Sequence, residues 1–111
     1  MTVGEWLGRR TPPPPPALLK RVEQALGESL TLDGGRTADA CLASAERLVS
    51  ELLRSDCVSR ESALDLLTAD ALVTYAFEAA GESPAGLASR AAESMRRIAS
   101  LGAVQREGAT A

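Results

Sequence analysis

Residues 37–54 read TADACLASAERLVSELLR, and this stretch decides the fold class. Ala38, Cys41, Leu42, Ala45, Leu48, Val49, Leu52 and Leu53 follow the i, i+3, i+4, i+7 spacing that gathers apolar side chains on one face of a helix. Glu46, Arg47, Ser50, Glu51 and Arg54 cover the other side. Thr37 is a suitable N-cap, and Asp39 in the first turn suits the positive end of the helix dipole. An amphipathic helix over 38–54 has one face to bury, so the rest of the chain must supply something to bury it against.

Upstream, DGGRT (33–37) is a turn signal, and Leu30 and Leu32 alternate with polar residues as a short extended piece would. Before that, PALLKRVEQALG (16–27) reads as a helix over about 15–27. Its inward side is Leu18, Leu19, Val22, Ala25 and Leu26, and Gly27 marks its stop. Proline is tolerated in a first helical turn, where its missing N–H has no partner anyway. Pro12 to Pro16 favour polyproline II, so residues 1–16 read as an extended, stiff arm whose large apolar anchors are Trp6 and Leu7. RRTPPPPP (9–16) resembles the ligands of SH3-type domains, in which Arg flanks a PxxP core. The rigid-arm reading is preferred, because nothing else in the chain points to that recognition.

Downstream, Ser59 is placed to cap a helix in RESALDLL, about 60–67, and Thr68 to cap another in ADALVTYAFEAAG, about 69–80. A break or kink at Thr68 is expected in preference to the alternative of one continuous helix from 60 to 80, since a straight helix would put Asp70 in line with Ala63, Leu66, Val73 and Phe77. From Ala69 to Ala80 only Asp70, Thr74 and Glu78 are polar. A helix apolar nearly all round is a central helix, a dimer interface or the wall of an apolar ligand cavity. Ser83 as N-cap and Pro84 at N1 then start a helix over about 84–101, with Leu87, Ala88, Ala91, Ala92, Met95, Ile98 and Ala99 inward and Gly102 just past its end. Short connections favour antiparallel neighbours. The expected fold is therefore all-α: an antiparallel bundle of four to five helices over 17–102, behind an extended arm (1–16) and before a frayed tail (103–111).

Composition agrees. The chain has 111 residues, 45% of them hydrophobic and only 3% aromatic, so its core is built from Leu, Ala and Val, with few β-branched residues. A net charge of −3 argues against a nucleic-acid-binding surface. The charge is unevenly spread: Asp56, Glu61, Asp65, Asp70, Glu78 and Glu82 stand against Arg60, whereas Arg90, Arg96, Arg97 and Arg106 stand against Glu93 and Glu107. An acidic middle and a basic tail can pair within one chain or between two. No apolar run reaches membrane-spanning length, and MTVGEWLGRR lacks the apolar region of a signal peptide, so a cytoplasmic protein is expected.

Little here suggests catalysis. There is no histidine, so no Glu-x-x-His metal element is present. Cys41 and Cys57 have neither zinc nor redox spacing; Cys41 lies on an apolar face, and Asp56 beside Cys57 opposes a thiolate. DGGRT lacks the lysine and the earlier glycine of a phosphate loop, although Arg36 and a helix start attract anions. Asp65, Asp70 and Glu78 are the remaining candidates, as an all-carboxylate Mg²⁺ site. DALVTYAFE (70–78) is similar to a short stretch of trans-prenyl diphosphate synthases. Those enzymes depend on DDxxD motifs, none of which occurs here, so no catalytic residue is carried across.

The expectation is a non-enzymatic helical module without cofactor or metal, acting through protein contacts as a homodimer or a small subunit of a complex. It involves neither nucleic acid nor membrane. The partner-binding candidates are Trp6, Leu7, Pro12, Pro13 and Pro14 of the arm, with Leu72, Tyr75, Phe77 and Met95 as shared packing. The alternative is a bundle holding an apolar small molecule, with Thr74 and Tyr75 as its polar contacts.

Overall fold

The computed structural model describes residues 1–55, 59–82 and 91–102, and the fold is all-α. Helix α1 covers Val3–Gly8, α2 Pro16–Leu26, α3 Thr37–Arg54 and α4 Arg60–Gly81, with 3₁₀ turns at Gly27–Thr31 and Gly34–Arg36. A further helix, α5, covers 91–102. The chain divides into two units, Met1–Ala79 and Ala80–Ala111. Cys57, the Ser83-Pro84 start and the tail from 103 lie outside the described residues.

The first correction concerns the arm. Residues Val3–Gly8 are helical, not extended. Thr2 caps them, its hydroxyl accepting from the Glu5 N–H at 3.2 Å. Val3, Trp6 and Leu7 then share one face and are all buried, Trp6 to 2% exposure. The start of the chain is held by backbone pairing with the segment before α3. The Val3 N–H donates to the Leu32 carbonyl at 2.9 Å, and the Gly34 N–H to the Met1 carbonyl at 2.7 Å. Thr2 and Asp33 form an isolated antiparallel bridge. A Cβ at Gly34 would sit 2.9 Å from the Met1 carbonyl oxygen, so only glycine admits this approach.

The second helix follows expectation closely. Pro16 opens α2, and Pro15 holds φ −53° and ψ 144°, an extended proline conformation leading into it. Gly27 ends it with φ 51°, in the left-handed region that favours glycine. Val22 and Leu26 are buried, and Leu18, Leu19 and Ala25 pack against the core at partial burial. On the far side of α2, Arg21 Nε donates to Asp65 Oδ1 at 2.7 Å and ties α2 to α4.

In α3 the expected face is right for most of its length, with Ala38, Cys41, Ala45 and Leu48 buried. Two details differ. Thr37 is helical and buried, and its hydroxyl donates to the Gly34 carbonyl at 2.7 Å, so it does not cap; Arg36 occupies the cap position with no side-chain bond. Leu53 is exposed, because it lies in the last turn of α3, beyond the buried part of the face.

Helix α4 is one continuous helix, not two. Thr68 is fully buried, and its hydroxyl donates back to the Leu64 carbonyl at 2.7 Å. That bond satisfies the hydroxyl inside the helix and leaves no cap to break it. Ser59 does cap the start, accepting from the Ser62 N–H at 3.1 Å. The buried face is Thr68, Ala69, Leu72, Tyr75 and Ala76. Asp70 does lie in line with Leu66 and Phe77, as a straight helix requires, and all three are exposed, whereas Val73 is half-buried against the core.

Within Met1–Ala79, α1, α2, α3 and α4 all contribute side chains to one core cluster. Trp6 sits in it against Tyr75, with ring centroids 6.1 Å apart at 79°, the edge-to-face arrangement that aromatic pairs prefer. The Arg10 guanidinium lies 3.7 Å from the Trp6 ring centroid, and Arg10 also meets Glu78 of α4 at 3.5 Å. In the second unit, α5 departs from expectation. Met95, Ile98 and Ala99 are exposed while Ser94 is buried, and Gly102 is still helical.

Candidate interaction surface

The sequence-derived candidates separate into two groups. Trp6, Leu7, Leu72 and Tyr75 lie in the core cluster of the first unit. Their burial is accounted for within one chain, because α1 brings Trp6 onto α4 instead of carrying it away on an arm. Burial and the Glu78 carboxylate push the Tyr75 phenol up, while Arg10 opposes that shift. Pro12 and Pro13 are exposed and Pro14 is half-buried, between α1 and α2. Phe77 and Met95 are solvent-exposed, at 41% and 69%.

Phe77 belongs to a row that the sequence placed in line with Asp70 but did not mark as an outward surface. Leu66 and Leu67, on the same outward side of α4, are 62% and 59% exposed. The signal was present: Asp70, Thr74 and Glu78 mark the outward stripe, and any apolar residue aligned with them must face water. Asp70 is exposed, and among the described residues its carboxylate has no ion-pair partner. In α5, Met95 and Ile98 (60% exposed) stand one turn apart, with the exposed Arg96 between them in sequence. Large apolar side chains grouped on two helices exceed the scattered exposed leucines normal on a protein surface.

The other candidates do not assemble into a chemical site. Asp65 is engaged by Arg21 and Glu78 by Arg10, while Asp70 points outward. Among the described residues no group of three acidic, cysteine or histidine side chains is placed to hold a metal ion. In DGGRT the backbone donors are spent internally. The Gly35 N–H goes to the Asp33 carboxylate at 2.9 Å, the Arg36 N–H to the Asp33 carbonyl at 2.8 Å, and the Gly34 N–H to Met1. Cys41 is buried, and burial pushes its thiol up to about 12, so it stays protonated and unreactive near neutrality.

A cleft of ≈ 190 Å³ opens between α2 and α3, lined by Arg21, Gln24, Ser44, Arg47 and Glu51. Arg47 donates to the Ala25 carbonyl at 3.0 Å and to Ser44 Oγ at 2.9 Å. Its lining suits a polar guest rather than an apolar one.

The class defined so far is an all-α chain with exposed apolar rows on α4 and α5. Comparison with protein-family models, curated proteins and solved structures finds no match to this chain.

Proposed function

We propose that this protein is a non-enzymatic helical assembly module that acts through protein contacts, as a homodimer or as a small subunit of a larger complex. The observation that carries the reading is the outward placement of Leu66, Leu67 and Phe77 on α4, with Met95 and Ile98 on α5. Full burial of a side chain of this size is worth roughly 1.5–3 kcal/mol; these are 41–69% exposed, so a partner surface that covers them recovers about half of that for each. The role first expected of Trp6 and Leu7 passes to these residues, because the former are already spent on the core.

The test is the native mass of the chain, by light scattering for the purified protein and by size fractionation in cell extract. A species heavier than one chain in either setting supports the reading, provided that Phe77→Glu lowers it. A single-chain mass in both settings ends it.

A further inference from the structure

Pro12 to Pro16 join α1 to α2, and their sequence alone fixes their shape. The ring holds each φ at about −65°. Pro12 to Pro15 each precede another proline, which drives ψ into the extended range as well. This run is thereby held as polyproline II, and Pro15 has φ −53° and ψ 144°. Polyproline II completes a turn in about three residues. Pro12 and Pro15 therefore share one edge, Pro13 and Pro16 a second, and Pro14 alone forms the third. Burial follows this division: Pro14 is half-buried, while Pro12, Pro13, Pro15 and Pro16 are exposed. One edge rests on the protein and two face outward.

Both ends of the ridge are anchored in the core of Met1–Ala79. Trp6 and Leu7 hold α1, and Val22 and Leu26 hold α2. The ridge is displayed ready-made, so a partner orders little of this chain on binding it. Proline carbonyls offer acceptors and no donor, so such a surface is read by apolar rings that carry a polar N–H or O–H. Arg9, at the end of α1, is exposed, and among the described residues its guanidinium makes no ion pair. Its Cα lies at most about 11 Å from that of Pro12, from the reach of the intervening chain.

From the two open edges and the arginine beside them we infer that Pro12–Pro16 is a docking ridge for a second protein, one whose groove is lined by aromatic side chains and flanked by carboxylates. The open edges seat between the rings, as polyproline ligands do, and Arg9 pairs with the carboxylates. A second copy of this chain does not supply that groove, because Trp6 and Tyr75 are buried and Phe77 is the one aromatic residue left exposed. The ridge uses none of the exposed residues of α4 and α5. The inference therefore goes beyond the assembly reading and stands or falls without it.

Titration of the folded full chain against a set of isolated SH3-type and WW-type domains, followed by nuclear magnetic resonance, tests it. A synthetic peptide of residues 9–16 is the reference. The folded chain is expected to bind domains with carboxylates beside the groove at least as tightly as the peptide does. Pro12→Ala combined with Pro15→Ala weakens this by about tenfold or more, and Arg9→Glu by about fivefold, with loss of salt dependence. Urea midpoints confirm that both variants fold, and Arg9→Glu leaves the prolines intact and reads charge alone. A peptide that binds about tenfold or more tighter than the folded chain overturns the inference, because the ridge is then closed to a partner. Binding that survives both variants also overturns it and assigns the contact elsewhere on the chain. No binding by chain or peptide at about millimolar domain concentration overturns it outright and leaves the prolines as a spacer.

Discussion

At the scale of the residue, Trp6 carries the most. Its indole is buried against Tyr75 and covered by the Arg10 guanidinium, so it joins α1, the following turn and α4. Trp6→Ala is expected to destabilise the fold by ~3–5 kcal/mol, the range for emptying a large aromatic site in a core. A urea midpoint unchanged from the native chain would contradict its place in the core. Cys41 gives a second prediction, set by pH. Its thiol is raised from an ordinary value of 9.0 to about 12 by burial. The native state therefore keeps a proton that the unfolded chain releases. This contribution is complete below pH 9 and is lost as pH rises towards about 12. Between those values stability falls by up to about 1.4 kcal/mol per pH unit on this account. Denaturant titrations at increasing alkaline pH should show a steeper loss for the native chain than for Cys41→Ala. Equal slopes would mean that the thiol is not desolvated as described.

At the scale of the element, α1 and α4 teach most. The six-residue α1 is too short to stand alone, since helix nucleation is costly. It persists because Thr2 caps it and its apolar face is buried. Thr2-Val3-Gly4-Glu5 matches the S/T-x-x-E capping pattern, and Val3, Trp6 and Leu7 follow helical spacing, so α1 was legible in the chain. The run of prolines after it drew the reading towards an extended arm instead. Thr2→Ala is expected to cost ~0.5–2 kcal/mol, read as a lower urea midpoint. In α4, Thr68 and Asp70 looked like a helix start. The buried hydroxyl bond to Leu64 and the outward placement of Asp70 remove both reasons for a break. Amide exchange should protect residues on either side of Thr68 alike, and a fast-exchanging gap there would speak for two helices.

At the scale of the whole molecule, the N-terminal segment belongs to the core of Met1–Ala79. Deleting residues 1–11 removes Val3, Trp6 and Leu7 together and opens the space they fill. The truncated chain is expected to lose cooperative thermal unfolding, and not merely to change its assembly state. Retention of a sharp transition would place α1 outside the cooperative unit. The exposed rows of α4 and α5 bear on the proposed assembly at this scale too: a partner that covers them raises the native mass above that of one chain, so the native mass is the measurement that tests the proposal.

What the sequence determined by itself is what period and local chemistry determine. Apolar residues at helical spacing set the all-α class, the extent of α2 and α3 and most of the buried face of α3, while Gly27 and Pro16 marked the ends of α2. These are short-range effects, readable a few residues at a time. The tertiary structure decided the rest. Which side of α4 is covered cannot follow from a pattern apolar nearly all round; it follows from the core cluster that Leu72 and Tyr75 share with Trp6, Val22 and Cys41, which leaves Leu66, Leu67 and Phe77 outside. The burial of Trp6 in the core of its own unit likewise goes with the pairing of Met1 and Val3 with Gly34 and Leu32, a contact between segments far apart in sequence. Burial is a property of the surfaces that meet, and a single helix holds only one of them.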